Sequence, residues 1–228
     1  VLQIYLMRGY MDKFVIEGSK TLHGSVNISG SKNAALPIIA ATILCDSPCT
    51  IRNVPNLADI ITMLKLLENM GCEYNFSNNT LEIDCSKLKS TKAEYDLVRK
   101  MRASILVLGP LVAKYSKATV SLPGGCAIGV RPVNLHIDAL KIMGAKINIE
   151  KGYIHASAKK LKGAEIYFDV PTVTGTENII MAATLASYKT TIYNAAKEPE
   201  VVDLVNFLNK CGAKISGAGS STIEITGV

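Results

Sequence analysis

The chain holds 228 residues, 48% of them hydrophobic and 19% charged, with 25 Lys and Arg against 19 Asp and Glu for a net charge of +6. That composition excludes intrinsic disorder, and the length lets roughly 70–75% of the unfolded surface leave water without a disulfide or metal staple. The longest apolar stretches, such as Ala34–Leu44, are about half the ~20 residues of a membrane span. Few aromatics and no Trp argue against nucleic-acid stacking, whereas scattered positive charge suits a small anionic substrate.

Residues 1–10 read as an upstream extension outside the fold, because Met11-Asp12-Lys13 is a more ordinary start and Val1–Leu6 is too brief for a secretion signal. Ser29-Gly30-Ser31-Lys32-Asn33 leads into Ala34–Leu44, which is apolar on nearly every face and reads as a central helix. Asn56 reads as the N-cap of a helix over Leu57–Met70, with Leu57, Ile60, Ile61, Leu64, Leu67 and Met70 on one stripe and Gly71 as its stop. A strand at Thr80–Asp84 puts Leu81 and Ile83 on one face. Lys87, Lys89, Lys92, Arg99 and Lys100, mixed with Glu94 and Asp96, read as a solvated face. Pro132 reads as the first turn of a helix ending at Gly144, followed by a strand with Ile154 and Ala156 on one side. Ile179–Leu185 is a second central helix; Glu200–Cys211 buries Val201, Val202, Val205 and Leu208, and Ile223 and Ile225 share a strand face.

These elements repeat. Asn33-Ala-Ala-Leu is answered by Asn178-Ile-Ile-Met; Thr50-Ile-Arg-Asn53 by Thr191-Ile-Tyr-Asn194; Met70-Gly71 by Cys211-Gly212; and Thr80–Asp84 by Thr222–Thr226. A looser middle copy runs through Ala103–Leu108, Ala118–Leu122, Met143-Gly144 and Tyr153–Ser157. Three supersecondary units therefore span Asn27 to Val228. Such units around a helical centre predict a pseudo-threefold α/β prism, helices inside and sheets outside; an ordinary α/β sandwich is the alternative.

The sharpest chemical motif is Leu122-Pro-Gly-Gly-Cys-Ala-Ile-Gly129, followed by Arg131-Pro132. Glycines on both sides of Cys126 present its thiol on a loop, where a nearby cation and helix start would favour the thiolate. Arg131 at a helix start suits an anion, and Lys32 with Asn33 offers a point charge and an amide before the first central helix. Arg102 interrupts the apolar run Met101–Leu108, as either a cleft-facing anion ligand or a snorkelling surface residue. His136 reads as a satisfied structural histidine. Glu198, Glu200 and Asp203 read as acids complementing a helix dipole. The six cysteines, Cys45, Cys49, Cys72, Cys85, Cys126 and Cys211, contain no CxxC and no zinc spacing, which reads as reduced thiols in the cytoplasm and no metal.

Gly30-Ser-Lys-Asn-Ala-Ala35, Met101-Arg-Ala-Ser104, the Cys126 loop, Arg131-Pro-Val133, Thr174-Gly-Thr-Glu-Asn178 and Asn194–Asp203 together resemble the enolpyruvyl transferase family over residues 11–228. The resemblance implies the inside-out α/β prism, three βαβαβ-type repeats, and no cofactor. It implies transfer of the enolpyruvyl group of phosphoenolpyruvate to the 3′-hydroxyl of UDP-N-acetylglucosamine, releasing phosphate, the first committed step of peptidoglycan synthesis. Cys126 matches the loop cysteine that donates a proton and is alkylated by fosfomycin, and Lys32 shares its catalytic site. Lys32, Asn33, Arg102, Arg131, Pro132, Val133, Asn134, Leu135, Thr172 and Val173 match substrate-binding positions. The partners implied are these two small molecules, with neither nucleic acid nor membrane insertion.

Asn134 departs from the Asp usual in the family, and family members carry a second, similarly built half. The resemblance thus divides the chain into residues 1–10, residues 11–22 that pack with that half, and a prism domain over residues 23–228 bearing the catalytic loop. By itself the chain is expected to bind weakly and turn over little. Two alternatives remain: a transferase for another hydroxyl such as shikimate 3-phosphate, against which the Cys126 loop argues, and a non-catalytic binding module.

Overall fold

In a computed structural model the chain is described at residues 4–7, 13–16, 18, 21, 23–98, 101–122 and 133–228. Strands β1 (Ile4–Met7) and β2 (Lys13–Ile16) pair antiparallel in a sheet of their own, so residues 1–10 contribute a strand. Three further sheets follow, one per repeat.

The first repeat runs α1 (Lys32–Ala41), β3 (Cys49–Arg52), α2 (Ala58–Met70), β4 (Glu73–Ser77) and β5 (Thr80–Asp84), with sheet order β3-β5-β4. The second adds β6 (Lys92–Ala93), α3 (Tyr95–Val98), a 3₁₀ segment Arg102–Val107 continuing into α4 (Leu108–Tyr115), β7 (Lys117–Ser121), α5 (Asn134–Ile142), β8 (Lys146–Glu150) and β9 (Tyr153–Ser157). The third has β10 (Glu165–Tyr167), α6 (Val173–Thr184), β11 (Lys189–Tyr193), α7 (Pro199–Lys210), β12 (Lys214–Ser216) and β13 (Thr222–Thr226). Sheets β6-β7-β9-β8 and β10-β11-β13-β12 share one plan: a short parallel edge strand, then three antiparallel ones. The first sheet has that antiparallel trio without the edge strand among the described residues.

Helices α1 and α6 sit at the centre because they expose almost no polar face. Every residue from Ala35 to Ala41 in α1 and from Gly175 to Thr184 in α6 is buried, and such a helix is stable only when enclosed on all sides. The strands alternate, burying Leu81, Ile83, Ile154, Ala156, Ile223 and Ile225 against that centre. The fold is the inside-out α/β prism.

Local boundaries differ from the sequence reading. Helix α2 starts at Ala58 with Leu57 as N-cap and no side-chain cap, not with Asn56, and Leu57 is exposed. The buried residues are Ile60, Met63, Leu64, Leu66, Leu67 and Met70, so Met63 and Leu66 join the stripe and Leu57 and Ile61 leave it, while Gly71 takes the left-handed C-cap at φ 106°. Helix α5 starts at Asn134 after Val133, and Pro132 lies outside the described residues. Val202 on α7 is only half-buried, its place on the stripe taken by Leu204.

The expectation of six reduced thiols fails at one pair. Cys72 and Cys85 are joined by a disulfide, with their Cα atoms 4.3 Å apart. The register explains it: Glu73 faces Asp84 across β4 and β5, so the next residues outward, Cys72 and Cys85, stand opposite each other.

Candidate functional site

The site is built where three central helices begin. Ser31, extended at φ −78° and ψ 129°, accepts a hydrogen bond from Ala34 N at 3.3 Å and so starts α1 at Lys32. Gly30 passes against Asn53, where a Cβ would collide with the Asn53 carbonyl oxygen. Pro37 inside α1 has no N–H to offer the Asn33 carbonyl, which leaves that oxygen without its helical partner. In the third repeat Thr172 Oγ1 accepts from Gly175 N at 3.3 Å and caps α6.

Lys32 and Asn33 of α1, Arg102 and Ala103 of the 3₁₀ turn, and Val173 and Thr174 of α6 line one hollow of ≈ 290 Å³. Three helical N-termini thus open onto a shared space, where unpaired N–H groups and helix dipoles favour a bound anion. Asp59, Glu177 and Glu200 also line it. Lys32 Nζ pairs with Asp59 Oδ2 at 2.7 Å, but the side chains are 43% and 34% exposed. A solvated pair of this kind contributes about 1 kcal/mol at most, so an anion can compete for the ammonium.

Behind the hollow lies a buried network linking the second and third repeats. Asn178 Oδ1 accepts from Gly109 N at 2.6 Å, while its Nδ2 donates to Ile105 O at 3.0 Å and to His136 Nδ1 at 2.9 Å. Gly109 is required, since a Cβ there would collide with the carbonyl and side-chain oxygens of Asn178. With Nδ1 accepting, the His136 proton sits on Nε2, 3.4 Å from Thr174 Oγ1. Burial first and the Arg102 charge second bring His136 down to about 4, so the ring is neutral. It is a satisfied structural histidine. Arg102 also lines the hollow.

Glu177 has no pairing partner at Oε1 and is 2% exposed. Burial, then Glu200 and Glu198, push it up to about 8, so it is a neutral acid at pH 7. It escaped notice in the sequence, where it appeared only within the matched run Thr174–Asn178; a carboxylate directly before the apolar run Ile179–Leu185 was the available signal. Asp59 carried no chemical signal in the sequence, and Glu200 only that of a dipole acid.

Of the site residues read from the sequence, the hollow brings together Lys32, Asn33, Arg102 and Val173. Thr172 caps the adjoining helix, while Val133 and Leu135 pack on the core and Asn134 is exposed at the start of α5, none of these four lining the hollow. Cys126, Arg131 and Pro132 lie outside the described residues. Among the described residues no group of three or more His, Cys, Asp or Glu side chains is arranged to hold a metal ion.

A prism with an anion-receptive hollow at its helix N-termini defines a class, and the model of the EPSP synthase (3-phosphoshikimate 1-carboxyvinyltransferase) family matches residues 16–228. The chain belongs to that family. Over 219 residues it is 60% identical to the UDP-N-acetylglucosamine 1-carboxyvinyltransferase of Ruthia magnifica subsp. Calyptogena magnifica, covering 96% of this chain and 52% of that protein. The protein of the same name from Idiomarina loihiensis is 60% identical over 220 residues, with the same coverage. The chain thus spans about half the length of the curated relatives it matches. The fold recurs in the enolpyruvyl transferase NikO from Streptomyces tendae, with a TM-score of 0.79, 22% identity, and coverage of 92% of this chain and 50% of that one. It recurs also in EPSP synthase from Acinetobacter baumannii, with a TM-score of 0.71, 19% identity, and coverage of 90% and 47%.

Proposed function

We propose that the chain provides one wall of the active site of an enolpyruvyl transferase acting on UDP-N-acetylglucosamine, in the cytoplasm, at the entry to peptidoglycan synthesis. The observation that carries the reading is the convergence of Lys32, Asn33 and Arg102, from two separate repeats, on one hollow at three helical N-termini. The names of relatives 56–60% identical favour the sugar nucleotide as acceptor over shikimate 3-phosphate.

Phosphoenolpyruvate carries several negative charges, and the ammonium of Lys32, the guanidinium of Arg102 and the helix dipoles supply fixed positive potential for it. Arg131 adds a second guanidinium, and Pro132, Val133, Asn134, Leu135, Thr172 and Val173 border the nucleotide. Glu177, held neutral, places a carboxylic acid in the wall without repelling the phosphate. Cys126 protonates C3 of phosphoenolpyruvate, the sugar 3′-hydroxyl attacks C2, and the tetrahedral adduct loses phosphate and a C3 proton. The second half supplies the base for the hydroxyl and further arginines, so the 228-residue chain alone binds weakly and turns over little. Calorimetric titration of the chain with UDP-N-acetylglucosamine and then phosphoenolpyruvate tests the reading. Heat with the sugar nucleotide and none with shikimate 3-phosphate is expected; the reverse preference assigns the other acceptor, and no heat with either ligand leaves a non-catalytic module.

A further inference from the structure

At the far end of the same helices lies a second constellation that the transfer reaction does not use. Helix α1 and the 3₁₀ turn Thr42–Leu44 end at Cys45, α7 ends at its C-cap Cys211, and β3 begins at Cys49. The Sγ atoms of Cys45 and Cys211 are 3.9 Å apart although the residues are 166 positions apart in the chain. All three cysteines are free thiols, Cys211 exposed and the other two half-buried. They line one cavity of ≈ 720 Å³, whose wall also includes Leu44, Leu185 and Phe207. Ten residues of α1, about 15 Å of helix, separate this cavity from Lys32.

We propose that Cys45, Cys49 and Cys211 form a thiol–disulfide exchange site, entered through this cavity by a low-molecular-weight disulfide, in which Cys45 and Cys211 end joined. The environment selects the first nucleophile. The neighbouring Cys45 thiol, with Cys211 and Lys114 assisting and burial and Asp84 opposing, brings the Cys49 thiol down to about 7. Cys49 and burial push Cys45 up, and burial pushes Cys211 up. Lys114 is held in place by Cys45 O at 2.7 Å and Asp46 at 2.9 Å. The thiolate is the attacking species in exchange, so Cys49 reacts first.

Cys49 Sγ attacks one sulfur of the incoming disulfide, that S–S bond breaks, and one small thiolate leaves and takes a proton. Cys45 gives up its proton and attacks Cys49 Sγ, expelling the second small thiol. Cys211 then attacks Cys45 Sγ and returns Cys49 as the thiol. One small disulfide is reduced to two thiols while two protein thiols are oxidised to one disulfide, so no other oxidant is needed. Closing the Cys45–Cys211 gap to bonding distance takes about 2 Å, within reach of two residues at helix ends.

Oxidised glutathione is the probe, with non-reducing peptide mapping by mass spectrometry as the readout. The native chain is expected to release two glutathione thiols and yield a Cys45 peptide linked to a Cys211 peptide. Cys211→Ser should stop at a Cys45–Cys49 link, and Cys49→Ser should slow the reaction at least about tenfold; melting curves establish that each variant is folded. Free Cys45 and Cys211 after treatment overturn the proposal. So does glutathione left on Cys211 without a link, or a folded Cys49→Ser variant reacting at the native rate.

Discussion

The two ends of α1 carry opposite chemistry. At Lys32 the helix begins beside Arg102 and the N-terminus of α6, in a hollow of ≈ 290 Å³. At Cys45 it has run out into a cavity more than twice as large, ≈ 720 Å³, lined with thiols and apolar side chains. Size alone would favour the thiol end. Helix polarity corrects it: free N–H groups favour anions at the first end, and free carbonyls favour cations at the other. Lys114, in the last turn of α4, donates to Cys45 O there. By helix polarity an anion suits the smaller space.

That contrast can be broken at several depths. The largest effect is expected from Asn178→Ala, which strands the Gly109 N–H, the Ile105 carbonyl and His136 behind the hollow. Orphaned buried groups at about 1–3 kcal/mol each give a loss of about 4 kcal/mol in urea unfolding. A loss under about 1 kcal/mol would show that the network is not what joins these repeats.

Next comes Lys32→Ala, expected to weaken phosphoenolpyruvate binding, measured with the sugar nucleotide present, roughly thirtyfold, the value of about 2 kcal/mol for a charge-assisted contact. Calorimetry measures it, and unchanged affinity would remove Lys32 from the site. Glu177 gives a smaller, pH-dependent effect. Its folded pKa of about 8 lies above the ordinary 4.5, so its contribution is complete below pH 4.5 and lost as pH rises to 8. His136, lowered to about 4 from 6.5, works the other way, its contribution being lost as pH falls from 6.5 to 4, so the two slopes oppose each other between 4.5 and 6.5. Above pH 6.5 stability is expected to fall by about 1–2 kcal/mol toward pH 8, and Glu177→Gln should abolish that fall. Equal slopes in urea titrations of both proteins would contradict the assignment. The smallest effect is at the thiol end: Cys211→Ser should change sugar-nucleotide affinity by less than about twofold.

The prism was legible because its signals are periodic and local. Leu81 and Ile83, Ile154 and Ala156, and Ile223 and Ile225 alternate as buried strand faces must, and three copies made the repeat visible. Lys32 and Arg102 stood out as cations at the edge of apolar runs. Asn56 and Leu57 were misread because several residues can end a loop before a helix, and the buried face of α2 is wider than a single line of apolar residues. The Cys72–Cys85 bond follows from a strand register that spacing does not announce. Cys45 and Cys211 meet only through the docking of α1 on α7, a contact no linear pattern carries.

Mass spectrometry of the chain after fosfomycin treatment, with and without UDP-N-acetylglucosamine, asks most directly whether the loop thiol and the cations of separate repeats serve one ligand. The account expects a single adduct, on Cys126, formed faster with the sugar nucleotide present and at least about tenfold slower in Lys32→Ala. Labelling spread over Cys45, Cys49 and Cys211, or a Cys126 rate indifferent to Lys32, would contradict it.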